Sequence, residues 1–200
     1  RPYYVWQYPD WPHFRWESDR LLNLLSGVRL LEGRIAGMMG GLGFDIQSKT
    51  SLDVMTEDVI RSNEIEGVPL NADRVRSSVA RHLGIITEGL PEPDYYTEGI
   101  VQVMIDAVRN YSDELSEQRL FNWHAALFPT GRSGIHPITV AGWRVGEEPM
   151  QVVSGAFGKE KVHYEAPASA DVPKEMTLFL DWVNNENDIE PVLKAAVAHL

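Results

Sequence analysis

Leu52, Met55, Val59, Ser62 and Glu66 step along the chain by three, four, three and four residues, a spacing that puts all five on one face of a helix. The face turns polar only at its end. Ser62 and Glu66, four apart, project side by side from a face whose earlier members seek a core. A carboxylate is costly to bury unpaired, and in the last turn of a helix it also meets the negative end of the dipole, at about 0.3 to 1 kcal/mol. Glu66 therefore calls for a cation or for solvent. Periodicity alone leaves both open, a structural arginine included.

Other residue types that invite chemistry are less well placed. The six histidines, His13, His82, His124, His136, His163 and His199, are scattered, with no pair at the four-residue spacing of a helical zinc site. No metal ligand is assigned. His124 lies on the apolar stripe of its helix, where a hydrogen-bonded core histidine is expected, and His199 is read the same way. Gly155-Ala156-Phe157-Gly158-Lys159 has the outline of a phosphate-loop ending, but Val153 stands where that motif needs glycine and Glu160 where it needs a hydroxyl. It reads as a turn. The glycines at 40, 41 and 43 follow a helix rather than a strand and miss the G-x-G-x-x-G spacing, which removes a dinucleotide site.

The elements that position these residues are mostly helical. The opening aromatics Tyr3, Tyr4, Trp6, Tyr8, Trp11, Phe14 and Trp16 are broken by Pro2, Pro9 and Pro12, so they predict an extended arm on apolar surface rather than a regular helix. From Ser18, the stripe Leu21, Leu24, Leu25, Val28, Leu31, Ile35, Met38 predicts a long amphipathic helix ending among Gly40, Gly41 and Gly43. A second helix is expected from about 51 to 67, a third from Asn71 to Gly84, a fourth around Ile100 to Val108 and a fifth behind Ser116. Between Pro129 and Pro149 the pattern is loop with short strands. Met150 to Ser154 and Lys161 to Glu165 predict a β-hairpin, and two helices close the chain, near 174–183 and 190–200. The fold class is mainly α with a hairpin.

Composition bounds the function. At 200 residues, 44% hydrophobic and 24% charged, the chain can bury one sizeable core, so one domain is the default expectation, with an appended subdomain left open. Its 18 basic and 29 acidic residues give a net charge of -11, which repels polyanions: neither nucleic acid nor an acidic membrane is an expected partner. No cysteine means no disulfide, thiolate site or cysteine nucleophile, and a cytoplasmic location fits. Nothing resembles a signal peptide or an apolar run long enough to span a bilayer, and the start at Arg1 suggests a trimmed chain.

Ser62-Asn63-Glu64-Ile65-Glu66-Gly67 resembles the [Ser/Thr]-x-x-x-Glu-[Gly/Asn] inhibitory motif of the Fic family. The resemblance extends along nearly the whole chain. Trp6-Gln7, Trp11-Pro12 and Phe14 are similar to the N-terminal extension that precedes this motif, and the stretch from Leu120 to Phe128 (LFNWHAALF) is similar to an early core helix. Gly142-Trp143-Arg144, Val152-Val153-Ser154-Gly155 and the run from Val162 to Pro167 (VHYEAP) resemble the β-hairpin flap, and the run from Lys194 to Leu200 (KAAVAHL) the helix leading into the signature loop. The signature itself, His-Pro-Phe-x-[Asp/Glu]-Gly-Asn-Gly-Arg, is absent. His136-Pro137-Ile138 continues as Thr139-Val140, without the glycines that let backbone N–H groups approach phosphates.

The resemblance implies a Fic-like helical bundle with a flap (about 150–167) and an N-terminal helical extension. Residues 1–90 would be that extension with its inhibitory helix (about 51–67), and 91–200 the front of the core domain. It implies a protein adenylyltransferase that moves AMP from ATP, with Mg, to a Ser, Thr or Tyr hydroxyl of a target protein. The family's loop histidine deprotonates that hydroxyl for in-line attack on the α-phosphorus. In this chain Ser62, Glu66 and Gly67 would be inhibitory. Val152, Val153, Ser154, Val162, His163 and Tyr164 would bind the target by strand addition, with structural pairing equally open for each. No catalytic residue is assigned, strong ATP and Mg binding is not expected, and the chain is expected to be part of a longer protein. The same scaffold would equally serve a non-catalytic interaction module, and homo-oligomerisation is left open.

Overall fold

The computed structural model describes residues 4–156 and 158–200, so Pro2 and Tyr3 of the arm and Phe157 of the hairpin turn lie outside the described residues. Seven α-helices and two antiparallel strand pairs make the described chain mainly helical. The contacts divide it into two compact units, one from Arg29–Ala141 and the other from the described part of Arg1–Val28 with Gly142–Leu200.

Helix α1 (Ser18–Gly40) begins in the second of these units and runs into the first. It ends at the expected glycines, but its stripe is not buried: Leu21 and Leu25 are half-buried, and Leu24, Val28, Leu31, Ile35 and Met38 are exposed. Helix α2 (Phe44–Ile65) starts seven residues before the expected 51. Gly43 caps it in extended conformation, Asp45 sits favourably in its first turn, and the Gln47 amide donates to Met39 O (3.0 Å) and Leu42 O (2.9 Å) at the end of α1. The added turns carry Phe44 and Ile46 into solvent, so no apolar stripe marked them.

Helices α3 (Ala72–Leu83) and α5 (Glu117–Leu127) start at the expected caps, whereas α4 (Tyr95–Arg109) starts five residues before the expected Ile100. Asn71 accepts from Arg74 N–H at 3.0 Å, Asp94 from Thr97 N–H at 2.8 Å and Ser116 from Arg119 N–H at 3.2 Å. The apolar faces of α3 and α4 meet α2 in one core of Leu52, Val59, Val75, Val79, Ala80, Ile100, Val101 and Ile105, and Leu127 at the end of α5 packs against it. Residue 90, the expected boundary of the extension, falls between α3 and α4, both of which contribute to this core. After α5, the two-residue strands β1 (Arg132–Ser133) and β2 (His136–Pro137) pair antiparallel.

The other unit holds a short 3-10 turn at Val5–Gln7, the β3 (Gln151–Ser154) and β4 (Lys161–Glu165) hairpin, α6 (Val172–Asn185) and α7 (Pro191–His199). The hairpin register pairs Gln151 with Glu165 and Val152 with Tyr164, then shifts by one residue to pair Val153 with Val162. That shift is a bulge at His163. His199 corrects the sequence reading: it ends α7 exposed to solvent, not in a core. Among the described residues no helix is long and apolar enough to cross a membrane.

Candidate functional site

Helix α2 carries the first group of candidate residues. Leu52 and Val59 are buried and Met55 half-buried, so the stripe reaches the core as far as Val59. One turn later it leaves: Ser62 and Glu66 are both exposed. The helix stops by a Schellman motif, with Val68 N–H donating to Asn63 O (2.9 Å), Gly67 N–H to Glu64 O (3.0 Å), and Gly67 at φ +74°. Gly67 is thus required by the backbone. Glu66 is the C-cap residue, where the helix dipole disfavours a carboxylate.

The cation expected beside Glu66 is not supplied by its own helix. Arg61, the nearest arginine along α2, is held by Glu57 (2.6 Å) and Glu64 (2.7 Å), whose hydrogen bonds raise its pKa further. The Glu66 side chain makes no hydrogen bond or ion pair with any described residue. Of the two alternatives left open by spacing, solvent holds among the described residues.

The hairpin carries the second group. Val152, Val153, Ser154 and His163 are exposed, and Val162 and Tyr164 are half-buried. Ser154 Oγ and His163 Nε2 lie 2.6 Å apart across the strands, a link that the bulge makes possible by turning His163 toward Ser154. Flanking segments hold the hairpin in place. Arg144 donates to Pro167 O and to Ser169 Oγ (2.8 Å), tying the loop before β3 to the segment after β4. Trp6 Nε1 donates to Glu165 O at 2.7 Å, and the Tyr4 and Tyr164 rings meet edge to face at 5.6 Å. The aromatic arm predicts contact with apolar surface, but no spacing in it points to the hairpin as its partner.

Two polar clusters in the helical unit were also missed. Glu98 accepts from Ser78 Oγ (2.7 Å) and pairs with His82 Nε2 (2.8 Å). Burial pushes its carboxyl up, but these two partners outweigh burial and leave it below the usual carboxylate range. The order is not that of a hydrolytic triad, because the carboxylate rather than the histidine holds the serine. Asp106 Oδ2 accepts from Arg119 Nε and Trp123 Nε1, each at 2.7 Å. The Asn110 amide first, then Arg119 and Trp123, hold Asp106 below its ordinary range against the opposing push of burial. A cavity of about 450 Å³ beside it is lined by His82, Arg109, Arg119 and Trp123, but Arg119 spends its donors on Asp106, Asn110 and Asp113, and Arg109 donates to His82 O. His124, as expected, is half-buried and hydrogen-bonded, with Nδ1 accepting from Ala141 N–H at 3.3 Å.

The described residues do not fit an ATP and Mg site. His136-Pro137 lies in the β1–β2 pair, Gly155, Ala156, Gly158 and Lys159 lie between β3 and β4, and among the described residues no group of three or more His, Asp or Glu is gathered to hold a cation. Residues 4–85 match the family model described as Domain of unknown function (DUF4172). The match runs from the arm through α1, α2 and α3. No curated protein matches the chain.

Proposed function

We propose that this chain is part of a Fic-type protein adenylyltransferase, whose AMP transfer from ATP to a Ser, Thr or Tyr hydroxyl of a target protein is held off by Glu66. The observation that carries the reading is the end of α2: a Ser-x-x-x-Glu-Gly run whose carboxylate is exposed, at the unfavourable end of the dipole, and without a partner on its own helix. Ser62 lies one turn earlier on the same exposed face, so an arginine brought by another segment can reach the carboxylate without disturbing the core. In the family this carboxylate engages an arginine of the signature loop, which otherwise holds the γ-phosphate of ATP. With that pair formed, bound nucleotide cannot orient its α-phosphate for attack.

On this reading the chain supplies the inhibitory helix and the flap, Val152 to Ser154 with Val162 to Tyr164, while base and phosphate cradle come from a signature loop outside these residues. The location is cytoplasmic, where ATP is plentiful and a cysteine-free chain loses nothing to reduction. The second reading is a non-catalytic interaction module, whose supporting feature is the exposed β3 edge at Val152 and Val153. Labelled ATP and a protein hydroxyl substrate separate the two when added to the 200-residue chain and to the protein encoded by the intact gene. The transferase reading expects labelling by the latter alone. Labelling by neither leaves the interaction module.

A further inference from the structure

Strands β3 and β4 form a two-stranded sheet, so each has one paired side and one outer side. Ala166 N–H donates to Met150 O at 2.9 Å, which sets Gln151 and Glu165 between ladder bonds, with their N–H and C=O groups directed away from the opposite strand. Alternation along β3 directs the backbone of Val153 outward as well. The outer carbonyl of Glu165 is taken by the Trp6 indole, and Tyr4 covers Tyr164 beside it. The two strands differ accordingly. Val162, Tyr164 and Glu165 are half-buried, whereas β3 is exposed throughout, Val152 by 58% and Val153 by 46%. An uncovered edge with β-branched apolar side chains is a template for another strand.

We infer that the N-terminal arm decides which hairpin edge receives a partner: Trp6 caps the β4 edge, and an extended segment of the target protein pairs along β3. The inference rests on the proposed role of the hairpin in target binding. Trp6 acts as a positioning residue, since it touches the hairpin and not the target. The chemistry of β3 defines the segment. Gln151 to Ser154 carries no charge, so the covering residues are uncharged and β-branched, with the hydroxyl residue among them. Lys159 and Lys161 at the turn make no ion pair with a described residue, so an acidic residue at the end of the segment nearest the turn is favoured.

The test uses the isotope-labelled chain and a nitroxide-bearing peptide, acetyl-Asp-Val-Thr-Val-Thr-Val-amide, read by paramagnetic broadening of backbone amides. Gln151 and Val153 should broaden while Val162 and Glu165 do not. Val153→Pro, which removes an outward donor without touching the ladder, should weaken binding about tenfold. Trp6→Phe should extend broadening to Val162 and Glu165. Benzothienylalanine at position 6, which keeps the bicyclic ring and lacks only the N–H, should do the same with the interstrand contacts intact. Broadening of β4 in the unaltered chain, no broadening at either edge, or a pattern unmoved by both changes at position 6 overturns the inference. A peptide that binds β3 but is never labelled with AMP by the full-length protein leaves the edge assignment standing and removes the transferase reading.

Discussion

A β-carbon on Gly99 of α4 would lie 2.0 Å from the carbonyl oxygen of Ala126 in α5 and 2.8 Å from its carbonyl carbon. Both are backbone atoms, which cannot swing aside as a side chain can. Gly99 is buried and carries the α4–α5 contact on which the helical core leans. Gly99→Ala should therefore cost about 2 to 4 kcal/mol despite its better helix propensity, because the two helices must separate. Urea denaturation measures this, and a stabilised Gly99→Ala protein would show that the helices do not approach so closely.

Acid should loosen the same region. Asp106 and Glu98 both have folded-state pKa values below their ordinary ones, so each contributes stability that is fully present above the unfolded value of about 4 and is lost as pH falls through the folded value. Asp106→Asn should lose about 1 to 3 kcal/mol at pH 7, the range of a hydrogen-bonded charge. The gap between variant and unaltered protein should narrow as the pH is lowered from 7 to below the ordinary carboxylate value and through the depressed folded one. Denaturation across this range checks this, and a gap unchanged by pH would assign the loss to packing.

How much of this was legible in the sequence depended on how local the cause was. Asn71 and Ser116 announce helices because a cap acts within three residues, whereas Asp94 caps α4 well ahead of the apolar stripe that marks it. The start of α2 was hidden, since Phe44 and Ile46 face solvent and leave no periodic trace. The α2 stripe gave Ser62 and Glu66 one face but not their burial, because the core that receives Leu52 and Val59 ends before the helix does. The Trp6 contact joins residues 159 positions apart, which no spacing rule reaches. Likewise α1 displays a regular stripe that the described residues leave exposed.

Val162 tests the flap. It is half-buried, opposite Val153 in the shifted register. In the full-length protein, Val162→Pro should disturb the strand that holds β3 in place and reduce target labelling by about tenfold while ATP affinity stays within about twofold. Parallel losses in both would mean that the hairpin serves the nucleotide or the fold.

The central claim concerns Glu66, and Glu66→Gly in the full-length protein tests it most directly when melting temperature and AMP transfer are measured together. The side chain is exposed, unpartnered among the described residues and at a C-cap, so its loss should cost no more than about 1 kcal/mol of stability. If it restrains an arginine of the signature loop, its removal frees that arginine to hold the γ-phosphate. The account predicts an almost unchanged melting temperature and AMP transfer raised severalfold or more. A lowered melting temperature with no gain in transfer would contradict it.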